Sequence, residues 1–259
     1  MISSVANPKV KRIRNLQARR AAREAEGLFV AEGTRLVEEA ARAPGAPRLA
    51  LHVDGLDPRG QAALDQLRAR GAAVEMVTPQ VMAAVSGAET PPGLLAVAPM
   101  PALEPPAPLT LALVLDGLRD PGNLGTILRT AAAAGVQAVF LAPGTVDAYN
   151  PKVVRAAMGA HFHVPIVPAG WEALVQRLAG LSLWLAEAGA GQAYHQVDWR
   201  GPSALIVGSE AGGPSPAARQ LAPSLVSIPM PGQAESLNAA VAGGIILFEA
   251  ARQRASRRV

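Results

Sequence analysis

Short apolar runs alternate with helical stretches along almost the whole chain, and that alternation restricts it to layers of packed strands and helices. It is interrupted once, by PMPALEPPAP at residues 99–108, where five prolines fall in ten positions. Such a run is stiff and extended. It leaves residues 101–108 as a linker between a domain of residues 1–100 and one of residues 109–259. In the first, a basic helix over about 8–25 precedes the strand LFVAEG, the helix TRLVEEAAR, the strand LALHVDG, the helix RGQAALDQLRARG, the strand AVEMVT, a short helix and the strand LLAVAPM. This pattern predicts a small α/β domain of two or three layers. In the second, strands at 111–115, 138–142, 163–167, 182–187, 204–209 and 225–229 alternate with helices at 123–134, 151–158 and 171–178. A long helix over about 235–254 closes the chain.

Composition removes several classes of function. Half of the 259 residues are apolar, enough for a globular chain with one large core or two modest ones. No apolar stretch approaches the roughly 18 residues of a membrane span; Asp116, Gln137 and Pro143 interrupt the longest candidates. The N-terminus is basic without an apolar signal core, which reads as a cytoplasmic protein with no membrane contact. Cysteine is absent, which excludes disulfides, thiolate chemistry and cysteine metal sites. His161 and His163 form an isolated HxH, read here as two residues on one face of a strand and not as metal ligands.

The net charge is only +4, but it is concentrated. Lys9, Lys11, Arg12, Arg14, Arg19, Arg20 and Arg23 fall within the first 23 residues, with no acid among them. Arg252, Arg254, Arg257 and Arg258 follow the last glutamate. Clustered cations gain affinity for a polyphosphate by releasing its counterions. The N-terminal set is therefore the candidate RNA-binding surface, ahead of the C-terminal one.

Three segments of the second domain carry chemistry. In LALVLDGLRDPGNLGTILRTAAAAG the strand 111–115 ends at Asp116 and a loop with Pro121 and Gly122 follows. Asn123 stands where a helix N-cap belongs, with Thr126 and Arg129 on the helix it opens. A strand running into the start of a helix leaves unpaired N–H groups pointing outward and receives anions or polar ligands. In ALIVGSEAGGPSP a buried strand runs into Gly208, Ser209 and Glu210, and the glycines permit close approach of a ligand or a tight turn. In VSIPMPGQAESLNAAVAGGIILFEAARQR, Ser236, Leu237 and Asn238 fall in the first turn of the last helix. Leu237, Val241, Ile245 and Phe248 form one apolar stripe, read as packing. Gly243 and Gly244 inside that helix each cost about 1 kcal/mol relative to alanine, and suggest close approach of another backbone, such as a second subunit.

Together, NLGTILRTAAAAG, VGSEAGGPSP and IPMPGQAESLNAAVAGGIILFEAARQR resemble, in order and spacing, the three signature motifs of the SpoU (TrmH-like) RNA ribose 2'-O-methyltransferases of the SPOUT superfamily. The N-terminal NPKVKRIRNLQARR and FVAEGTRLVEEA resemble the substrate-binding extension of the rRNA-directed members. Two positions depart from the family pattern. Ala211-Gly212 stands where Gly-Glu is usual, and Ala239-Ala240 where Val-Ser is usual, so a serine that could touch substrate is missing.

The resemblance implies an α/β trefoil-knot methyltransferase domain behind a smaller α/β, ribosomal-protein-like RNA-binding domain. It implies S-adenosylmethionine as cofactor without a metal, a homodimer packed through the motif-one helix and the final helix, and an RNA substrate, rRNA ahead of tRNA. Gly208, Ile228 and Leu237 align with the cofactor-holding positions, with Ser209 and Met230 in reach of the same pocket. Asn123, Arg129, Glu210, Ser236 and Asn238 align with the catalytic and substrate-handling set. Arginine is protonated at any ordinary pH, which favours Arg129 as a bidentate holder of the RNA phosphate, oriented by Glu210, with Asn238 on the ribose. A non-catalytic ribosome-associated binder would retain the basic N-terminus and lack these residues. Neither a GxGxxG after a strand nor a GK[ST] phosphate loop is present for a dehydrogenase or a nucleotide hydrolase.

Overall fold

The structure, a computed structural model, describes residues 1–210 and 212–256; Ala211, Arg257, Arg258 and Val259 lie outside the described residues. It divides into two compact units. One holds Met1–Ala102 together with Tyr149–Phe162, the other Leu103–Ala148 and the chain from His163 onward.

In the first unit, strands β1 (Leu28–Glu32), β2 (Leu49–His52), β3 (Ala73–Met76) and β4 (Leu94–Pro99) form a mixed sheet of order β1-β4-β2-β3. Helices α1 (Pro8–Ala18) and α5 (Pro79–Val85) bury Val10, Ile13, Leu16, Val81 and Met82 against Leu28, Val30, Leu51 and Val97. Helices α3 (Thr34–Arg42) and α4 (Pro58–Ala69) bury Val37, Leu64 and Leu67 against Ala50, Leu94 and Ala96. Alternate strand residues thus face opposite helix layers, giving three layers. The segment 149–162 completes this unit. It comprises helix α7 (Pro151–Ala157) and a 3-10 turn, Ala160–Phe162. Tyr149 and Phe162 stack on Phe29 with ring centroids 5.2 and 5.7 Å away, and Arg155 approaches the buried Glu32 carboxylate at 3.8 Å.

The basic stretch 8–25 is not one helix. It breaks at Arg19, whose extended backbone (φ −123°, ψ 119°) separates α1 from α2 (Arg20–Glu26). The break lets Arg23 fold back, 4% exposed, and donate through Nη1 to the carbonyls of Leu16 (2.6 Å) and Gln17 (3.1 Å) at the open end of α1. His161 is also placed differently from the sequence expectation. It sits buried in the 3-10 turn and His163 lies beyond it, while the next strand, β7, begins at Ile166.

The second unit is a parallel sheet of order β7-β6-β5-β10-β8-β11-β9. Its strands are β5 (Leu111–Asp116), β6 (Ala138–Leu141), β7 (Ile166–Pro168), β8 (Ser182–Ala186), β9 (Gln192–Ala193), β10 (Ser203–Gly208) and β11 (Ser224–Ser227). β5 and β10 are buried at every position, which explains their unbroken apolar runs. Helices α8 (Trp171–Arg177) and α9 (Pro216–Leu221) cover one face through Leu174, Leu178, Ala218 and Ala222. Helices α6 (Pro121–Ala133) and α10 (Ala239–Ala255) pack on each other.

Their contact accounts for the helical glycines within one chain. A β-carbon on Gly243 would lie 2.6 Å from Ile127 Cδ1 and one on Gly244 would lie 3.4 Å from Thr130 Cγ2. Both glycines thus make room for side chains of α6 in the same chain. The packed face of α10 is Ala239, Ala240, Gly243, Ile246, Leu247 and Ala250. Of the stripe expected to pack, Ile245 is half-buried and the rest is turned outward: Leu237 is 38%, Val241 49% and Phe248 53% exposed. Arg254, one of the C-terminal cations, is committed to structure, with Nη2 donating to the carbonyls of Thr110 (2.7 Å) and Gly201 (2.6 Å).

Candidate active site

The carboxyl ends of β5, β8, β10 and β11 open on the same edge of the parallel sheet, the edge at which open α/β sheets bind ligands. Asp116, 4% exposed, ends β5 and accepts from the Ser215 N–H at 2.6 Å. Ser215 in turn caps α9. The loop after β10 is thereby tied down at its far end. It is also tight: a β-carbon on Gly208 would lie 2.6 Å from Pro214 N and 2.7 Å from Gly213 C, both backbone atoms. Gly208 is thus required for closure of the loop itself and not only for room beside a ligand.

Between this loop and the segment after β11 lies a cavity of about 290 Å³, near the lower end of small-molecule sites. All five residues expected to hold a cofactor line it: Gly208, Ser209, Ile228, Met230 and Leu237. Glu210 and Ser236 line it as well. Apolar Val207, Val226, Ala242 and Ile246 suit an aromatic base and methylene groups, and Ser209, Glu210 and Ser236 add polar groups to the lining, so the residues fit S-adenosylmethionine. Among the described residues, no group of three or more His, Asp or Glu could hold a metal ion.

Asn123, Glu210 and Asn238, 87 and 115 residues apart along the chain, are brought into one hydrogen-bonded run. Asn238 Nδ2 donates to Asn123 Oδ1 at 2.8 Å, and Asn123 Nδ2 donates to Glu210 Oε1. The direction of the run is set at one end. Asn238 is the N-cap of α10, and its Oδ1 accepts from the N–H groups of Ala240 (2.9 Å) and Val241 (3.2 Å). Its amide must therefore face Asn123 with a donor, which turns the Asn123 donor toward the Glu210 carboxylate.

Two expectations about these helix starts change. The N-cap of α6 is Asp120, which accepts from the Asn123 N–H at 2.8 Å, with Pro121 at the first helical position. Asn123 is freed from capping, and its side chain serves the run. Likewise α10 starts at Ala239, so Ser236 and Leu237 stand in the loop before it and not in its first turn.

Arg129 is exposed on α6 and pairs with no described residue, so Glu210 orients Asn123 and not Arg129. At about 100° per residue, six positions place Arg129 about 240° around α6 from Asn123, on another face of the helix.

Two charged groups at the cavity escaped sequence reading. Glu187 follows β8, and Arg219 stands in the last turn of α9; both line the cavity. Arg219 donates from Nη1 and Nη2 to the two Glu187 oxygens at 2.6 and 2.8 Å. These hydrogen bonds hold the Glu187 carboxyl below the usual carboxylate range and raise the guanidinium. The only signal in the sequence was an acid ending an apolar strand.

Residues 110–248 match the SpoU rRNA Methylase family, and residues 7–96 match the MRM3-like substrate binding domain. The 23S rRNA (guanosine(2553)-2'-O)-methyltransferase RlmP of Bacillus subtilis (strain 168) is 37% identical over 249 residues, covering 95% of this chain and 97% of the relative. A crystal structure of an RNA 2'-O ribose methyltransferase, 37% identical, covers 98% of this chain and 99% of that one with a TM-score of 0.84. The AdoMet-bound rRNA methyltransferase of Sinorhizobium meliloti, 33% identical, covers 97% of each chain with a TM-score of 0.83. The chain belongs to the SpoU family, and with it to the S-adenosylmethionine-dependent RNA ribose 2'-O-methyltransferases.

Proposed function

We propose that this protein methylates a ribose 2'-hydroxyl of 23S rRNA, taking up the RNA with its first unit and working as a homodimer. The observation that carries the chemistry is the directed run from Asn238 through Asn123 to Glu210 at the rim of the cavity. The choice of 23S rRNA is supported by the relatives named for that substrate and by the match of the first unit to a substrate-binding domain. A trefoil knot belongs to this reading. It is supported by β10 lying between β5 and β8, and by the two loops that converge on the cavity.

S-adenosylmethionine supplies an electrophilic methyl group whose departure leaves a neutral thioether. Gly208, Ser209, Ile228, Met230 and Leu237 would hold it. Asn238 and Asn123 fix the carboxylate of Glu210. Its second oxygen has no hydrogen-bond partner among the described residues and would accept the proton of the 2'-hydroxyl. Ser236, exposed at the same rim, is the remaining polar contact for the nucleotide.

Arg129 faces away from this corner in its own protomer. The exposed Val241 and Phe248 of α10, beside α6, form the apolar surface through which a two-fold partner would pack, and such packing offers Arg129 to the partner's site. There it would hold an RNA phosphate two-pronged and set the 2'-hydroxyl for transfer.

RNA capture falls on fewer cations than the sequence suggested. Lys9 pairs with Glu75, Arg12 with Glu26 and Arg20 with Glu24, and Arg23 is buried. Lys11, Arg14 and Arg19 are exposed and make no ion pair among the described residues. Deleting the helix would strip Val10, Ile13 and Leu16 from the core, so the test is substitution. Replacing Lys11, Arg14 and Arg19 with glutamine is expected to weaken rRNA binding and flatten the slope of log affinity against log salt by roughly two to three. S-adenosylhomocysteine affinity should stay at the wild-type value. An unchanged salt slope would reject these residues as the phosphate-binding set.

A further inference from the structure

The cavity wall carries one charged pair that methyl transfer does not use. Glu187 extends β8 beside β10, whose Val207 is in register with Ala186. It is bound two-pronged by Arg219, which reaches in from α9. The side chains are 26% and 47% exposed, and half-exposed pairs of this kind add little to stability. What the pair does achieve is geometric. A planar guanidinium fork fixes the plane and position of the carboxylate, and each oxygen retains a lone pair for a further donor. The cavity therefore presents two acceptors side by side, with the apolar Ala186, Ala188 and Val226 also in its lining.

The periphery of S-adenosylmethionine offers donors of three kinds. The exocyclic amine of adenine points its two N–H bonds apart, so it does not match two oxygens held side by side. The ammonium is a single tetrahedral centre that any one acceptor satisfies, so two oxygens held side by side do not select it. The vicinal hydroxyls of the ribose are two adjacent O–H donors, matched one to one by the two oxygens of a held carboxylate. We propose that Glu187, fixed by Arg219, is the residue that receives the 2',3'-diol of the cofactor's adenosyl ribose. This inference rests on the placement of the cofactor in this cavity.

The test is calorimetric and uses the full chain. Glu187→Gln should weaken S-adenosylhomocysteine about 10- to 100-fold, the range for losing hydrogen bonds to a charged group. It should weaken 5'-methylthioadenosine, which lacks the amino-acid part, by a similar factor. It should leave the 2',3'-dideoxyribose analogue of S-adenosylhomocysteine within about twofold of its wild-type affinity. Wild-type affinity for S-adenosylhomocysteine in the variant would overturn the proposal, as would an equal loss for the dideoxy analogue. A loss confined to ligands that carry the ammonium would overturn it too. Ala242→Leu tests the underlying placement separately, because it fills the cavity from α10. Undiminished binding of all three ligands by that variant removes the cofactor from the cavity. Abolished binding there, with Glu187→Gln unaffected, rejects the diol assignment alone.

Discussion

Replacing Arg129 with alanine is expected to lower kcat/KM for RNA by about 10²- to 10³-fold, the scale of a lost positioning or charge-stabilising contact. S-adenosylhomocysteine affinity should be unchanged, because Arg129 lies on α6 outside the cavity lining. Arg129→Lys should recover little, since an ammonium has no two-pronged fork. Full activity of the lysine variant would show that charge suffices. The proposed dimer makes a second demand. Mixing Arg129→Ala protomers with Glu210→Ala protomers, each inactive alone, should restore roughly a quarter of wild-type activity, because half of random dimers are mixed and each holds one complete site. No recovery in exchanged dimers would place Arg129 in the site of its own chain.

Gly208→Ala is expected to damage the cofactor site from behind. The new methyl group meets the backbone of Gly213 and Pro214 at 2.6 to 2.8 Å, and Asp116 and the α9 cap hold that backbone in place. Overpacking of this kind costs about 1–3 kcal/mol. The loop carrying Ser209 and Glu210 has to shift to relieve it. S-adenosylhomocysteine affinity should fall about tenfold or more, with a lower Tm for the second unit. Unchanged affinity by calorimetry would mean that the loop after β10 does not shape the site.

What could be read from the sequence followed physical rules acting locally. β5 and β10 are legible because strands buried on both faces are unbroken apolar runs. The starts of α6 and α10 were misread because each holds two good capping residues within three positions. Asp120 and Asn238 take the caps, and Asn123 and Ser236 are released to the site. The outward stripe of α10 misled for a different reason. Close packing on α6 selects Gly243 and Gly244, and the buried face is completed by Ile246 and Leu247, so the apolar stripe through Val241 and Phe248 is not the one facing the core.

Long-range pairing lies beyond any local pattern. Glu75 neutralises Lys9 from 66 residues away, Glu26 neutralises Arg12, and Arg23 turns inward to close α1. Nor does periodicity show that Tyr149–Phe162 packs in the first unit, since its helix and turn resemble those around it. The strand–loop–helix corner singled out Asn123, and the family resemblance joined Glu210 and Asn238 to it. The hydrogen-bonded order of the three came only with the structure.

The central claim is that the acceptor is a ribose 2'-oxygen of 23S rRNA. Alkali cleaves RNA through attack of the 2'-hydroxyl on the neighbouring phosphate, so a methylated 2'-oxygen leaves one linkage resistant. Unmodified 23S rRNA incubated with the protein and methyl-labelled S-adenosylmethionine, then hydrolysed to completion in base, should yield its label in an alkali-stable dinucleotide. The sequence of that dinucleotide identifies the nucleotide modified. Label found only in mononucleotides would mean methylation of a base and contradict the account.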